Sequence, residues 1–263
     1  MSQMSVEESR QALAEQVARH GRIVFFGGAG VSTESGIPDF RSAHGLYNGK
    51  SYDGHRPEEI ISHSYFERYP SVFYDFYCEK MIYLDAQPNQ AHRKLAELEQ
   101  QGKLAAVVTQ NIDGLHQKAG SRNVFELHGS VLRNHCTGCG KFYGVEDVVE
   151  GHAGVDASGA PSRFSDPRRP GVPICPTCGG IIKPDVILYE EPLDEPTIEG
   201  AVDAIGRADM IIVAGTSLNV YPAAGFLQYF RGDETVIVNL SSTSFDRNAD
   251  LVIEQPVGQV FGW

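Results

Sequence analysis

Four of the five cysteines stand in two short pairs, Cys136-Thr137-Gly138-Cys139 and Cys175-Pro176-Thr177-Cys178, trailed by Gly140 and Gly179. Two thiols separated by two residues can turn both sulfurs onto one ion, and two such knuckles supply a tetrahedral zinc with all its ligands. The zinc predicted on Cys136, Cys139, Cys175 and Cys178 has no open position for a water, so it holds a fold and does no chemistry. A redox dithiol is the alternative. The long stretch between Cys139 and Cys175 exceeds the usual zinc-ribbon gap and has to be accommodated as an insert. Cys78 reads as a packed thiol and His135 as a bystander.

The second group of reactive residues sits where apolar runs end. Gly27-Gly28-Ala29-Gly30-Val31-Ser32 follows Phe26, and Thr109-Gln110-Asn111-Ile112-Asp113 follows Val108. His128-Gly129-Ser130 follows Leu127, Gly215-Thr216-Ser217 follows Ala214, and Asn239-Leu240-Ser241 follows Val238. Small and polar residues make turns anywhere, but five such tips on one sheet edge predict a ligand crevice. The glycine tip is no P-loop, because no Gly-Lys-Ser/Thr follows, and Thr33 stands where a dinucleotide fingerprint needs Gly or Ala. Pro38-Asp39-Phe40-Arg41 reads as a loop folding over the ligand, with Arg41 for phosphates and Phe40 as an apolar lid.

The elements that must carry these tips are legible as short apolar runs at 22–26, 104–108, 124–127, 210–214, 235–238 and 251–253. Helical spacing appears between them at 90–101, at 195–208, and at 223–230 after Pro222. A first helix starts on the capping box Ser5/Glu8, buries Leu13 and Val17, and stops at Gly21. Strands alternating with helices predict an α/β fold with a mostly parallel sheet covered on both faces. Residues 42–80 break the alternation with short helices and loops, and 151–171 reads as a flexible insert between the knuckles. The chain has 263 residues, enough for one large domain with a smaller insert. Its net charge of −12 disfavours sequence-independent nucleic-acid binding, which needs a basic face. No apolar run is long enough to span a bilayer, and the N-terminus shows no secretory leader, so a cytoplasmic protein is expected.

Taken in order, Gly28-Ala29-Gly30-Val31-Ser32 running into Glu34-Ser35-Gly36-Ile37-Pro38-Asp39-Phe40-Arg41, then Thr109-Gln110-Asn111-Ile112-Asp113-Gly114-Leu115-His116, Leu127-His128-Gly129-Ser130, the cysteine pairs and Gly215-Thr216-Ser217 resemble the signature of the sirtuins, NAD-dependent protein-lysine deacylases. The likeness covers nearly the whole chain. It implies a Rossmann-like NAD-binding domain from 1–41, 81–130 and 181–263. It also implies a small domain from a helical module, 42–80, and a four-cysteine zinc module, 131–180, with the active site in the cleft. By the same resemblance, Gly28, Ala29, Gly30, Ser32, Glu34, Asp39, Phe40, Arg41, Gln110, Asn111, Ile112 and Asp113 bind NAD. Gly215, Thr216, Ser217, Asn239, Leu240 and Ser241 hold its adenosine half, and Val257 completes the set. His128 is implied as the catalytic base, with Asn111 and Asp113 beside it. NAD is then consumed, giving nicotinamide, the free lysine amine and O-acyl-ADP-ribose. A histidine near its ordinary pKa of about 6.5 suits the proton transfer.

The resemblance further implies acylated-lysine proteins as partners, clamped as an extended peptide between Val186-Ile187-Leu188-Tyr189-Glu190 and Ser217-Leu218-Asn219-Val220-Tyr221. Glu190 and Glu191 either bias that groove towards basic peptides or are simply solvated. Members that remove succinyl or malonyl groups carry a Tyr-x-x-Arg pair, whose match here is Tyr77 and Lys80. Lysine lacks the two-pronged fork that grips a carboxylate, so a neutral acyl group, acetyl first, is expected. The competing readings are a mono-ADP-ribosyltransferase and a non-enzymatic acyl-lysine reader. A monomer without nucleic-acid or membrane partners is expected.

Overall fold

A computed structural model describes residues 4–40, 45–46 and 51–263. Among these residues the strands are β1 (Ile23–Gly27), β2 (Leu104–Thr109), β3 (Val124–Glu126), β4 (Asn134–Cys136), β5 (Phe142–Tyr143), β6 (Ile182–Pro184), β7 (Met210–Ala214), β8 (Glu234–Val238) and β9 (Leu251–Ile253). Six of them form one sheet in the order β3-β2-β1-β7-β8-β9, parallel throughout. The chain winds outward from β1 to β3, then crosses back to β7 and winds the other way. The direction of winding therefore reverses between β1 and β7, and in such sheets the ligand crevice opens at that point, beyond the carboxyl ends of the strands.

The strand runs are apolar on both faces because both are covered. Ile23 and Phe25 of β1 pack with α1 (Val6–Arg19), α5 (Gln90–Gln100) and α9 (Val257–Val260). Val24 and Phe26 point the other way, onto α8 (Glu195–Gly206) and the segment Ala223–Tyr229. Burying one such side chain contributes about 1.5–3 kcal/mol, which the alternating pleat collects on both sides. Ala223–Tyr229 is a 3₁₀ helix where the spacing predicts an α-helix; Ala223 and Phe226, three apart, both press on this core.

A second, aromatic core lies off the carboxyl edge of the sheet. It joins α2 (Pro57–Ile60), α3 (His63–Arg68) and α4 (Pro70–Lys80) to the three-stranded sheet β5-β4-β6 and to α7 (Val145–Ala153). Phe66, Phe73, Tyr74 and Tyr77 pack edge-on and stacked within it, and the Tyr74 hydroxyl donates to the Ile182 carbonyl. The remaining helix, α6 (Leu115–Ala119), packs on α5. Two sequence expectations change here. β6 belongs to the small sheet although it lies beyond 181, where the larger domain was expected to resume; it pairs with β4, a contact no local pattern announces. The stretch 151–171 folds back on α7: Phe164 is buried edge-on to Tyr143, and the Ser162 hydroxyl donates to Glu150 at 2.7 Å. One large aromatic in a polar stretch is enough to anchor it.

Candidate active site

The cavity lies where the fold predicts it, between the tips of β1 and β7 and the small core, with a volume of about 500 Å³. Its floor is built backbone on backbone. Gly28 N donates to the Ala214 carbonyl at 3.1 Å and Gly30 N to the Gly215 carbonyl at 2.8 Å. A Cβ on Gly30 would meet Gly215 Cα at 2.8 Å, and one on Gly28 would meet Thr216 Cβ at 2.7 Å, so side chains are excluded from the crossing. Thr216 is pinned by Asn239, which accepts from Thr216 N at 3.0 Å and donates to its carbonyl at 3.1 Å. Gln110 Nε2 donates to Thr216 Oγ1 at 3.0 Å and ties the tip of β2 to the tip of β7.

His128 lines the cavity. Its Nδ1 lies 3.0 Å from the Gln110 carbonyl, which can only accept, so Nδ1 carries the proton and Nε2 keeps its lone pair. Burial lowers the pKa of His128 below the ordinary histidine value, against the smaller opposing effect of the Gln110 hydrogen bond. The ring is therefore held in its neutral form at neutral pH. The His128 carbonyl accepts from Ile187 N at 3.0 Å, which binds the segment 186–189 to the same frame.

Behind the cavity wall, Asn111 Nδ2 donates to Ser32 Oγ at 3.1 Å, and Ser32 Oγ donates to Asp113 Oδ2 at 2.7 Å. Asp113 Oδ1 accepts from Leu115 N at 2.9 Å and so starts α6. Burial raises the Asp113 pKa while these two donors lower it. Where α5 packs on α6, His92 of the former and His116 of the latter are buried rings 4.7 Å apart. His116 finds no hydrogen-bond partner among the described residues, and burial holds it well below the usual histidine range.

Of the residues proposed from sequence, Gly28, Ala29, Gly30, Asp39, Phe40, Gln110, Asn111, Ile112, Gly215, Thr216, Ser217, Asn239, Leu240, Ser241 and Val257 line the cavity, with Val186, Ile187, Leu188, Tyr189 and Val220. Arg41 lies outside the described residues. Others are placed elsewhere. Ser32 and Asp113 stand one layer behind. The Glu34 carboxylate accepts from Gly258 N and braces the start of α9. Leu218 is buried in the sheet core with a left-handed φ of 55°, and neither it nor Asn219 is at the wall. Tyr77 is wholly buried against Phe73, and Lys80 pairs with Glu79 at 2.6 Å on the surface. The register of α4 turns both from the cavity, and Met81, just past its end, faces it with Ile61. Glu190 accepts from Ser64 N and Oγ, and Glu191 pairs with His63 and Lys183, so neither carboxylate is simply solvated. Ile61 and Met81 carry no motif; only their apolar character marked them.

The cysteine sulfurs all lie within 4.8 Å of one another. A tetrahedral zinc with bonds of about 2.3 Å needs sulfurs about 3.8 Å apart, so the donor set and its spacing fit that ion. Cys139 and Cys175 are 3.8 Å apart and Cys136 and Cys178 are 3.3 Å apart. Gly140 and Gly179 turn the knuckles at φ of 69° and 76°, and Gly138 N donates to Cys136 Sγ. Cys78 is half-buried, its thiol pushed up to about 12 by burial, which leaves it unreactive.

Residues 28–222 match the Sir2 family. An NAD-dependent protein deacetylase of Clostridium perfringens is 55% identical, with 98% of each chain covered. Among solved structures, a Sir2 protein with a deacetylated p53 peptide and 3′-O-acetyl ADP-ribose aligns at a TM-score of 0.82 and 36% identity over 95% of each chain. A Sir2 complex with a p53 peptide and NAD+ aligns at 0.79 and 36% identity, over 98% of this chain and 96% of that one.

Proposed function

Because the chain belongs to the Sir2 family, we propose that it is an NAD-dependent protein-lysine deacetylase that works at this cavity. The observation that carries the reading is His128: a neutral ring with a free Nε2, at the wall of a cavity shared by the glycine tip and the segment 186–189. In this reading Gly215, Thr216, Ser217, Asn239, Leu240 and Ser241 receive the adenosine half of NAD, and Gly28, Ala29 and Gly30 give it close backbone approach. Asn111 and the backbone at Ile112 receive the nicotinamide carboxamide; Asp113 and Ser32 hold that loop from behind. The segment 186–189, which lines the cavity, docks the extended acyl-lysine peptide.

The amide oxygen of the acyl-lysine attacks the ribose carbon as its bond to nicotinamide breaks. His128 Nε2 then accepts a proton from a ribose hydroxyl, freeing that oxygen to attack the acyl carbon. One water is consumed, and the lysine amine, nicotinamide and O-acetyl-ADP-ribose leave. The four thiolates would hold a zinc that fixes the small sheet and supplies no step. We take the enzyme to be a cytoplasmic monomer without nucleic-acid partners; the acidic net charge supports the last point.

The test is nicotinamide release from NAD. Release that requires an acetylated peptide and yields O-acetyl-ADP-ribose supports the proposal. ADP-ribose transferred to unacylated protein points to the transferase instead, and binding of the peptide without release points to a reader.

A further inference from the structure

Glu191 lies at the rim of the cavity, just beyond the peptide strand, yet its carboxylate turns back into the protein. Oε1 is 2.8 Å from His63 Nδ1, while Oε2 accepts from Lys183 Nζ at 3.1 Å and from Leu188 N at 2.8 Å. Lys183 also donates to the carbonyls of Pro184 and Val186. One carboxylate, with only 15% of its side chain exposed, thus joins α3, β6 and the segment 186–189. The other nitrogen of His63, Nε2, is 3.5 Å from Glu67 Oε1. A carboxylate only accepts, so a ring with carboxylates at both nitrogens satisfies both when both are protonated. The charged groups facing His63 are Glu191 and Glu67, which favour the imidazolium, and Lys183, which opposes it.

We infer that His63 is a positioning residue for the protein substrate: as the imidazolium it holds Glu191, and through Glu191 the segment 186–189 on which the acyl-lysine peptide docks. The inference rests on the deacetylase reading for its substrate. His63 itself touches no reacting atom. Its hold is graded, because backbone links remain when the charge is lost: Tyr189 N donates to the Ile61 carbonyl at 3.1 Å and His63 N to the Tyr189 carbonyl at 2.9 Å. Glu190 grips the start of α3 at a second point. Glu191 draws the His63 pKa above the ordinary value, so the clamp is complete at and below that value and loosens as pH rises through the raised one.

The experiment uses the full chain, with a fluorescent acetyl-lysine peptide for anisotropy and nicotinamide release for turnover, from about pH 6 to about pH 9. Peptide Kd and KM should rise about two- to fivefold with pH while kcat and the KM for NAD do not follow, the size expected of a partly exposed ion pair. His63→Leu should show the weak high-pH affinity throughout. His63→Gln, which keeps one donor to Glu191, should recover part of the affinity and lose the pH response. A wild-type peptide affinity that is flat across this range, or a His63→Gln variant that titrates like wild type, overturns the inference. Binding that follows His63 without turnover sinks the deacetylase reading and keeps the clamp. Turnover without the pH response does the reverse, and absence of both binding and turnover overturns both.

Discussion

Replacing acetyl by succinyl on a substrate lysine probes the small-domain wall of the cavity most directly. Ile61, Met81, Val186 and Leu188 belong to one apolar core, and Ile112 packs against it. Among the described residues no Lys or Arg lines the cavity, whereas the acidic residues Asp39, Glu190 and Glu191 do. A succinyl carboxylate would leave water for this wall without a partner. The effective penalty for one unpaired ion is several kcal/mol, taken here as about 3–5. At about 1.4 kcal/mol per tenfold, kcat/KM should fall by a factor of about 10² to 10³ or more. The assay compares nicotinamide release on one peptide carrying acetyl- or succinyl-lysine. A succinyl substrate within about tenfold of acetyl would refute the reasoning, since that gap is smaller than any unpaired buried carboxylate allows. Position decides the corollary. Met81→Arg places a guanidinium at the wall and should shift the ratio towards succinyl. Lys80→Arg should leave it unchanged, because Lys80 points to Glu79 and away from the cavity.

His128→Ala should cut turnover by about 10²–10⁴-fold with NAD binding retained, and in the wild-type enzyme the acid limb of kcat should fall below the ordinary histidine value, because burial lowers the His128 pKa; both are read from a pH profile beside an NAD titration. Cys136→Ala, Cys175→Ala or a strong chelator should unfold the small domain and abolish activity, and elemental analysis should find about one zinc per chain; a metal-free, fully active preparation contradicts this. Burial lowers His92 to about 4, so the native state resists its protonation while the unfolded chain does not. Stability should therefore fall as pH drops from about 6.5 towards 4, by about 3 kcal/mol from His92 alone, with His116 adding in the same direction; urea melts at the two ends of that range check it.

The sheet was legible because each strand is a continuous apolar run with both faces covered, a pattern that survives without knowledge of its neighbours. The tips were legible for a related reason: Gly28, Gly30 and Gly215 are demanded by a backbone crossing and His128 by its chemistry, so residue type carries the signal. What stayed hidden depends on register and on distant partners. One turn of α4 separates Tyr77, sealed in the aromatic core, from Met81 at the cavity, and a run of aromatics offers no period to tell them apart. Glu34 braces α9 more than two hundred residues away, and β6 declares its sheet only by pairing with β4. Glu191 is one of several acidic residues near the strand; its meeting with His63 and Lys183 exists only in three dimensions.

The hydrogen bonds around the cavity divide into two kinds. Asn239 holds Thr216, Thr216 accepts from Gln110, the Gln110 carbonyl holds His128, and the His128 carbonyl holds Ile187. That line crosses from the β8 tip to the peptide strand through neutral groups alone, so its geometry does not change with pH near neutrality. In the proposed reading it fixes His128 relative to both substrates, as a proton transfer needs, since a displacement of about 1 Å can cost about a hundredfold in rate. The clamp at Glu191 is charged, partly exposed and set at the end of the same segment. If the clamp acts as inferred, a change of charge there alters how well a peptide docks while leaving His128 where it is. The proposed function then divides affinity for protein substrates and the chemical step between separate sets of groups that meet at the segment 186–189.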